Sequence, residues 1–559
     1  MAFYVDKKTS VFTSVSILIF SFIVCFQPWQ LHFQELSRSE GLFAAAAAEM
    51  QYDTLPVVRA HDTMLNNLPP GTPWLSSILD NFLPMETAIR ILPVTALAVL
   101  AVIAGLAARR AAGNTAGFTA AAMLISTNLV LEKFVEFDPF FCSMPFVFGG
   151  WLLWFYYGFQ QSNWTKAWVA FALCTGCAVY TGGYKMFPIA LIPLIFQRRP
   201  LSLRSKLKRN SVLWACLIMF SFIAARTLPG IIHTGTPFDW SKVQMSGFAE
   251  YGIQLVTFPF DFAIRLLPWG IISWAPFCVA YQWIAPAPVF GKFLRTIVIS
   301  LFFVFWFIPG TEIHETAVLL APLAVLTGIY AQYPVRKYGE TLTRIFRFTA
   351  VAFCLLTVFI LLLYFYAPAV NIMKFFTLER SLDFLDNRSY KLFFLASALA
   401  IALCAAAVLQ HKENRLPLWS QGILLVSMFM LCWWGIVTPY RTQETGKRLM
   451  GKTLETAVAK TAEVENITDP VIYKYNINEF YSEAVYSGIP FKEIRSIHDI
   501  PATDTGIFLL TTEFPQHPER EWHRLLLPSF TYRHKALVFL YGKLRNNDVA
   551  TQNMELEEW

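Results

Sequence analysis

Apolar residues in this chain collect into runs about as long as a bilayer is thick, with short polar breaks between them. Backbone groups in lipid must bond within their own segment, and about 20 apolar residues span the hydrocarbon as helix. Reading each run as a helix places spans near 11–28, 87–108, 114–131, 139–159, 167–181, 186–197, 211–231, 262–286, 295–309, 316–333, 348–370, 391–409 and 420–438, thirteen in all. The pair 167–181 and 186–197 is short and interrupted by Gly and Pro, so the count is least fixed there. From about Pro439 the pattern changes. "DPVIYKYNINEFYSEAVYSGIPFKEIRSIHDI", "TGIFLLTTEF" and "HKALVFLYGKL" alternate apolar and polar residues between Gly, Pro and Asp turns, which predicts strands in a small α/β domain. The expected organisation is a transmembrane domain over 1–438, with outer segments 29–86 and 232–260, followed by an extracytoplasmic α/β domain over 439–559.

Composition supports the membrane reading. Of 559 residues, 55% are hydrophobic and only 15% charged, where a soluble domain is nearer a quarter charged. The net charge of +7 gives no support to nucleic-acid binding. Lys and Arg set the orientation. With the N-terminus inside, loops 1–10, 109–113, 160–166, 197–210, 289–295, 334–347 and 410–419 hold 19 Lys/Arg in 67 residues, against 8 in 126 for the outer loops. "QRRPLSLRSKLKRN" casts the strongest vote, and an odd span count then puts the C-terminal domain outside.

The first outer segment opens with "SRSEGLFAAAAAEM". A secretory cleavage site belongs just after the apolar region, but the apolar run ends near Phe26 and the alanines begin only at Ala44, so the first span is read as a retained anchor. Alanine is the best helix former. Glu40 falls in or just before the first turn, where the helix dipole favours a carboxylate. Glu49, nine residues on, points about 180° away.

Further polar residues sit at the outer ends of spans. They are Glu132, Lys133, Glu136 and Asp138 in "LEKFVEFDPFF", Lys185 in "GGYKMFP", His233, Asp239, Trp240 and Glu250 in the second outer segment, and Glu312, His314 and Glu315 in "GTEIHETA". Charge at the rim of apolar helices needs water, a partner or a cavity. Carboxylates there suit a general base acting on a hydroxyl, and cations suit a departing phosphate; solvated interface residues are the competing reading. Cys174 and Cys177 form a CxxC within an apolar run and read as small buried hydrophobes. The chain carries no Walker, GxGxxG or GxSxG motif and no solenoid repeat, which excludes a nucleotide-driven pump in the same chain.

The order of these segments resembles the polyprenyl-phosphate-sugar mannosyltransferase and aminoarabinose-transferase group of membrane glycosyltransferases, the GT-C architecture (glycosyltransferase 39/83-like). The likeness runs over residues 30–335, through "SEGLFAAAAAEM", "NNLPPGTPWLSSIL", "METAIRILP", "FVEFDPFF", "YTGGYKMFPIALIPLIF", "RLLPWGIISW" and "ETAVLLAPLAVLTGIY". The chain departs from the family pattern where Ser39 replaces the Asp of an Asp-Glu pair, Leu42 an Arg, and Leu68 a Lys before Pro-Pro. Gly182 replaces the Lys of Thr-Lys-Gly, with Lys185 three residues on, and the region of His314 and Glu315 replaces a later Lys.

The resemblance implies inverting transfer of a sugar from a polyprenyl-phosphate donor to a lipid or protein acceptor, on the periplasmic side of a bacterial inner membrane. It implies no cofactor and no metal, no nucleic-acid partner, contact with membrane lipids, and action as a monomer. Glu40 is the expected catalytic base and Asp138 a second carboxylate, with Arg38, Lys185, His314, Glu315 and His233 as substrate contacts. A transporter or flippase of lipid-linked sugars, or an inactive lipid-binding relative, is the alternative.

Overall fold

The computed structural model describes residues 9–26, 35–50, 58–65, 67–133, 137–197, 210–234, 248–284, 286–366, 388–410, 416–441, 446–477, 480–496, 499, 506–515, 520–525, 531–532 and 535–544. The chain forms two compact units, one of residues 1–33, 90–228 and 236–443, the other of residues 34–89, 229–235 and 444–559. Of the polar residues noted in the outer segments, Glu136, Asp239 and Trp240 lie outside the described residues.

The first unit is helical. Twelve of the thirteen predicted apolar runs fall on helices, from Val11–Phe26 to Leu418–Arg441. Among the described residues, seven helices are long and apolar enough to cross a membrane, eight if one bent pair counts as a single span. That bent pair is where the sequence reading differs from the structure. A helix occupies Phe248–Arg265, beginning inside the segment read as an outer loop (232–260) and running into the span read over 262–286, and the chain then turns by 110° into Gly270–Phe277. The break falls at Leu267–Pro268, where proline lacks an N–H and disfavours helix in the residue before it. The helix itself escapes an apolar-run reading because Glu250, Gln254 and Asp261 interrupt its sequence.

Small residues let these helices touch. A Cβ on Gly117 would come within 2.7 Å of the Gly105 carbonyl oxygen, and one on Gly328 within 2.4 Å of that of Ala116. The helices Met85–Ala112, Asn114–Ser126 and Leu320–Tyr330 therefore meet backbone to backbone, the usual basis of helix packing in lipid. Trp151, Trp154, Phe148 and Phe293 fill the centre of the unit. The Trp151 indole N–H donates to the Ala190 carbonyl at 2.8 Å, so this polar atom is not left unpaired.

The second unit contains a five-stranded sheet. Its strands are β3 (Ile472–Tyr475), β4 (Phe491–Ile494), β5 (Gly506–Thr511), β6 (Arg520–Leu525) and β9 (Val538–Leu544), in the order β4-β3-β5-β9-β6, and a separate short antiparallel pair, β7 (Thr531–Tyr532) and β8 (Lys535–Ala536), falls between β6 and β9 in sequence. Strands β3, β4 and β5 are parallel and β9 runs antiparallel to its neighbours. The Tyr481–Ser487 helix lies between β3 and β4 in sequence, as a parallel pair requires a crossover. Ile472, Phe508, Leu510 and Phe539 pack on one face with Leu454 and Val458 of the Lys447–Glu465 helix, while Tyr473, Ile507, Leu509 and Leu540 pack on the other.

The same unit holds the Arg38–Met50 helix and a hairpin of β1 (Arg59–Ala60) and β2 (Thr63–Met64). The two hairpin loop residues, His61 and Asp62, both take positive φ (55° and 64°), the type I′ pattern usually given to Asn and Gly. Buried contacts hold the turn there. The His61 carbonyl accepts from the Glu493 N–H at 3.1 Å, its ring stacks on Tyr481 at 4.8 Å, and its Nδ1 lies 3.2 Å from Lys474 Nζ. Lys474, itself 1% exposed, pairs with Glu493 at 3.2 Å.

Candidate functional site

Five of the predicted rim residues, Asp138, Lys185, Glu312, His314 and Glu315, come together in the first unit. Asp138 is the N-cap of the Pro139–Phe155 helix, with proline at the first helical position. Its Oδ1 accepts the Phe140 N–H at 2.8 Å, which fixes the carboxylate. Its Oδ2 lies 3.1 Å from His314 Nε2.

The other His314 nitrogen lies 3.1 Å from Glu312 Oε2. Where both carboxylates are ionised they only accept, so the two contacts suit a His314 ring that carries a proton on each nitrogen. Phe140 and Phe141 meet the ring edge-on at 5.8 and 6.2 Å. The hydrogen bond from His314 holds the Glu312 carboxyl below its ordinary range against partial burial, with the charges of His314, Lys185 and Lys133 adding to it.

Lys185 and Glu315 form the second pair, Nζ to Oε1 at 2.5 Å, with 69% of the lysine side chain exposed and 8% of the glutamate. The lysine reaches this place through a glycine turn. Gly183 has φ +101°, and a Cβ on Gly182 would sit 2.4 Å from Ser143 Oγ. Next to Lys185, Tyr184 lies under the Arg226 guanidinium at 3.7 Å, and Arg226 Nη1 donates to the Val179 carbonyl at 2.7 Å.

The turn that leads to Glu312 is braced by the Phe248–Arg265 helix. Tyr251 Oη donates to the Phe307 carbonyl at 2.8 Å, and Gln254 both donates to the Ile308 carbonyl at 3.0 Å and accepts from the Gly310 N–H at 3.2 Å. At the far end of this helix Arg265 pairs with Glu132. Sequence reasoning missed Tyr184 and Gln254. Tyr184 had the signal of standing beside Lys185, whereas Gln254 lay in an assumed loop and had none.

An apolar groove of about 660 Å³ runs between the Met186–Phe196 and Pro288–Phe307 helices, lined by Ile192, Phe196, Ile299, Phe303, Phe307 and Ile308 among others. Lys185 stands at the head of the first of these helices, and Ile308 begins the turn that carries Glu312. The groove is therefore walled by the two elements that supply the cluster.

Glu40 belongs to the second unit. It is buried, and its Oε2 accepts the Ser37 N–H at 2.8 Å while Ser37 Oγ accepts the Glu40 N–H at 3.3 Å. This is a reciprocal capping box, the S-x-x-E signature that residues 37–40 spell out. The start of the helix is clamped from the C-terminal part of the unit. The Leu36 N–H donates to Tyr486 Oη at 2.8 Å, the Leu36 carbonyl accepts from Lys447 Nζ at 2.9 Å, and Ser482 Oγ donates to the carbonyls of Leu36 and Ser37 at 3.2 and 3.1 Å. Gly41 makes this approach feasible, since a Cβ there would sit 2.3 Å from Ser482 Oγ. Arg38, exposed, opens the same helix. His233 lies near the end of the Asn210–Thr234 helix, and its side chain falls outside the described residues.

No family model matches the chain, and no curated protein sequence does. Among solved structures it is similar to ArnT from Cupriavidus metallidurans in the apo state, with TM-score 0.65 at 15% identity over 95% of this chain and 98% of that one. The same protein bound to undecaprenyl phosphate gives TM-score 0.63 at the same identity and coverage. An oligosaccharyltransferase from Archaeoglobus fulgidus reaches TM-score 0.40 at 11% identity, over 88% of this chain and 65% of that one. The likeness to ArnT extends over nearly the whole of both chains, and the fold is the GT-C arrangement expected from the order of the sequence segments.

Proposed function

We propose that this multi-pass membrane protein transfers a sugar from a lipid-phosphate donor to a hydroxyl on a lipid or protein acceptor. One observation carries the reading: an apolar groove is walled by two helices that lead to a cluster of paired cations and carboxylates. A long hydrocarbon chain suits the groove, and a phosphate suits Lys185 and a protonated His314. The ArnT structure that holds undecaprenyl phosphate gives the same fold a ligand of this chemistry.

In the proposed step a carboxylate takes the proton from the acceptor hydroxyl. The oxygen's electron pair forms a bond to the anomeric carbon from the face opposite the donor phosphate. The bond from that carbon to the phosphate oxygen breaks, and its electron pair departs with the lipid phosphate, inverting the centre. Lys185 and His314 balance the charge that grows on the leaving oxygen. Both Asp138 oxygens already accept hydrogen bonds, so we assign Asp138 to holding His314; Glu40 is proposed for proton removal on its place in the sequence pattern alone. Arg38, Glu315 and His233 are proposed substrate contacts. The cluster is assigned to the periplasmic face of an inner membrane, in keeping with the Lys/Arg distribution.

The test compares envelope glycolipids and glycoproteins by mass spectrometry, in cells with the wild-type chain, with Glu40→Gln, and without the chain. A glycan product that needs the chain and disappears with Glu40→Gln at normal expression supports the assignment. An unchanged product removes Glu40 as the base. The 110° break between Ala249–Arg265 and Gly270–Phe277 favours a second reading, since broken helices also build transporters. Movement of a lipid-linked sugar across liposomes without covalent transfer would establish that reading instead.

A further inference from the structure

A second cavity, of about 490 Å³, opens in the first unit well away from the cluster. It is lined by Thr115, Thr119, Trp269, Phe346, Arg336 and Trp419 among others. The Leu320–Tyr330 helix separates the two places: Glu315 stands just before its start, whereas Gly328 and Ala331 at its other end border the cavity. Eleven residues at about 1.5 Å each give about 16 Å of helix between them.

The lining divides into a hydrocarbon wall and one charged edge. Trp269, Ile272, Val335, Leu342, Leu418 and Trp419 form the buried wall. Two of the polar groups on this side are already used. The Trp269 indole N–H donates to Ser126 Oγ at 2.8 Å, and Thr119 Oγ1 donates to the Thr115 carbonyl at 2.8 Å. Such a wall has little to offer a sugar, and apolar cavities hold water poorly.

The edge carries Gln332 and Arg336, both exposed. Arg336 makes no ion pair among the described residues. Basic residues continue through the same stretch of chain at Lys337, Arg344 and Arg347.

We propose that this cavity binds an anionic membrane phospholipid, with its phosphate at Arg336 and Gln332 and one acyl chain laid against Trp269, Phe346 and Trp419. The argument for this occupant is charge complementarity at one end and hydrocarbon along the rest. The site is separate from the donor groove and does not depend on the proposed transfer reaction.

The experiment equilibrates the purified full chain with equal amounts of phosphatidylglycerol and phosphatidylcholine of matched chains, then reads the retained lipids by native mass spectrometry. The wild type is expected to retain phosphatidylglycerol in preference. Arg336→Gln, an exposed change that leaves packing alone, is expected to lower the phosphatidylglycerol-to-phosphatidylcholine ratio by about fivefold, the preference one basic residue gives toward a lipid of net negative charge, since both lipids offer the same phosphate oxygens. Arg344→Gln, on the same basic stretch but outside the cavity, should leave the ratio unaltered. Gly422→Leu should reduce retention of both lipids, because a Cβ there already meets Trp269 and Phe346 at 3.6 and 3.8 Å and a longer side chain fills the slot. An unchanged ratio in Arg336→Gln overturns the proposal. So does an equal fall in Arg344→Gln, or displacement of phosphatidylglycerol by undecaprenyl phosphate at equal concentration.

Discussion

Replacing Lys185 with Met tests the proposed phosphate site through an opposed pair of changes. Lys185 binds Glu315 at 2.5 Å but is 69% exposed, so water screens the pair. Exposed ion pairs contribute about 0–1 kcal/mol, but the Glu315 side chain is only 8% exposed, so Lys185→Met should cost more than that range by leaving a buried carboxylate without its cation. Binding is the more sensitive readout. A hydrogen bond to a charged group contributes about 1.5–3 kcal/mol, so loss of the ammonium should weaken undecaprenyl phosphate binding by about 10- to 150-fold. Glu315→Gln should act in the other direction, because it frees the lysine from its carboxylate. That gain is limited to the strength of the exposed pair, about 1 kcal/mol or fivefold tighter. Titration of the purified chain with undecaprenyl phosphate at fixed salt measures both, since screening moves such numbers. An unaltered Kd in Lys185→Met refutes the placement of phosphate at this lysine, as does movement of both variants in the same direction.

Three further outcomes follow from the second unit. Glu40→Gln keeps an oxygen for the Ser37 N–H, so unfolding should be little changed while turnover falls by about 10²–10⁴, the range of a general base; Glu40→Ala should in addition cost about 1 kcal/mol of stability through the lost cap. Gly41→Ala drives a Cβ to 2.3 Å from Ser482 Oγ and 2.7 Å from its backbone nitrogen, and should lower stability by about 1–3 kcal/mol in a denaturation series. Burial raises the Glu49 carboxyl to about 7, against the hydrogen bonds it takes from the His61 and Asp62 N–H groups. Its folded value thus exceeds the unfolded one, so its contribution to stability is complete below about pH 4.5 and is lost as pH rises through about 7. Glu49→Gln should remove that fall and leave the opposite slope of His61, whose burial, with Lys474 nearby, lowers it to about 3; a wild-type-minus-variant difference that is flat from pH 4.5 to 7 contradicts the assignment.

The transmembrane part of the fold was readable because lipid imposes one solution on an apolar run: twelve of the runs needed only length and hydropathy to be placed. The Phe248–Arg265 helix was not, since its polar residues serve neighbours across space. Gln254 and Tyr251 spend their hydrogen bonds on the 307–310 turn, and no pattern within the segment announces that. The cluster was legible at the level of residue type. Asp138, Lys185, His314 and Glu315 each stood at the end of an apolar run, and the structure pairs them. Which acid meets which base depends on two glycines and an N-cap, and so lay beyond spacing arguments. For Glu40 the missed signal was local: Ser37 three residues before it marks a capping box, a structural use of the carboxylate beside the proposed catalytic one.

The shifted lysine of the "TGGYK" turn also has a physical cause that can be tested. The family pattern places a lysine where this chain has Gly182, and a lysine there looks like a simple reversion. Sterically it is not. A Cβ on residue 182 would lie 2.4 Å from Ser143 Oγ, 2.6 Å from its Cβ and 3.2 Å from Met186 Cγ. Ser143 is fully buried and donates to the Phe140 carbonyl at 2.6 Å, within the helix that Asp138 caps, so it has little room to yield. Gly182→Lys should therefore destabilise the chain by about 1–3 kcal/mol, the usual penalty of overpacking, and should disturb the Asp138–His314 contact. Ser143→Gly removes both atoms that collide and should restore much of the lost stability when combined with Gly182→Lys, although alone it creates a small void. A thermal-unfolding cycle over the two single variants and the double variant reads this coupling directly. If the two changes prove additive, Ser143 does not exclude a side chain at residue 182, and the position of Lys185 needs another explanation.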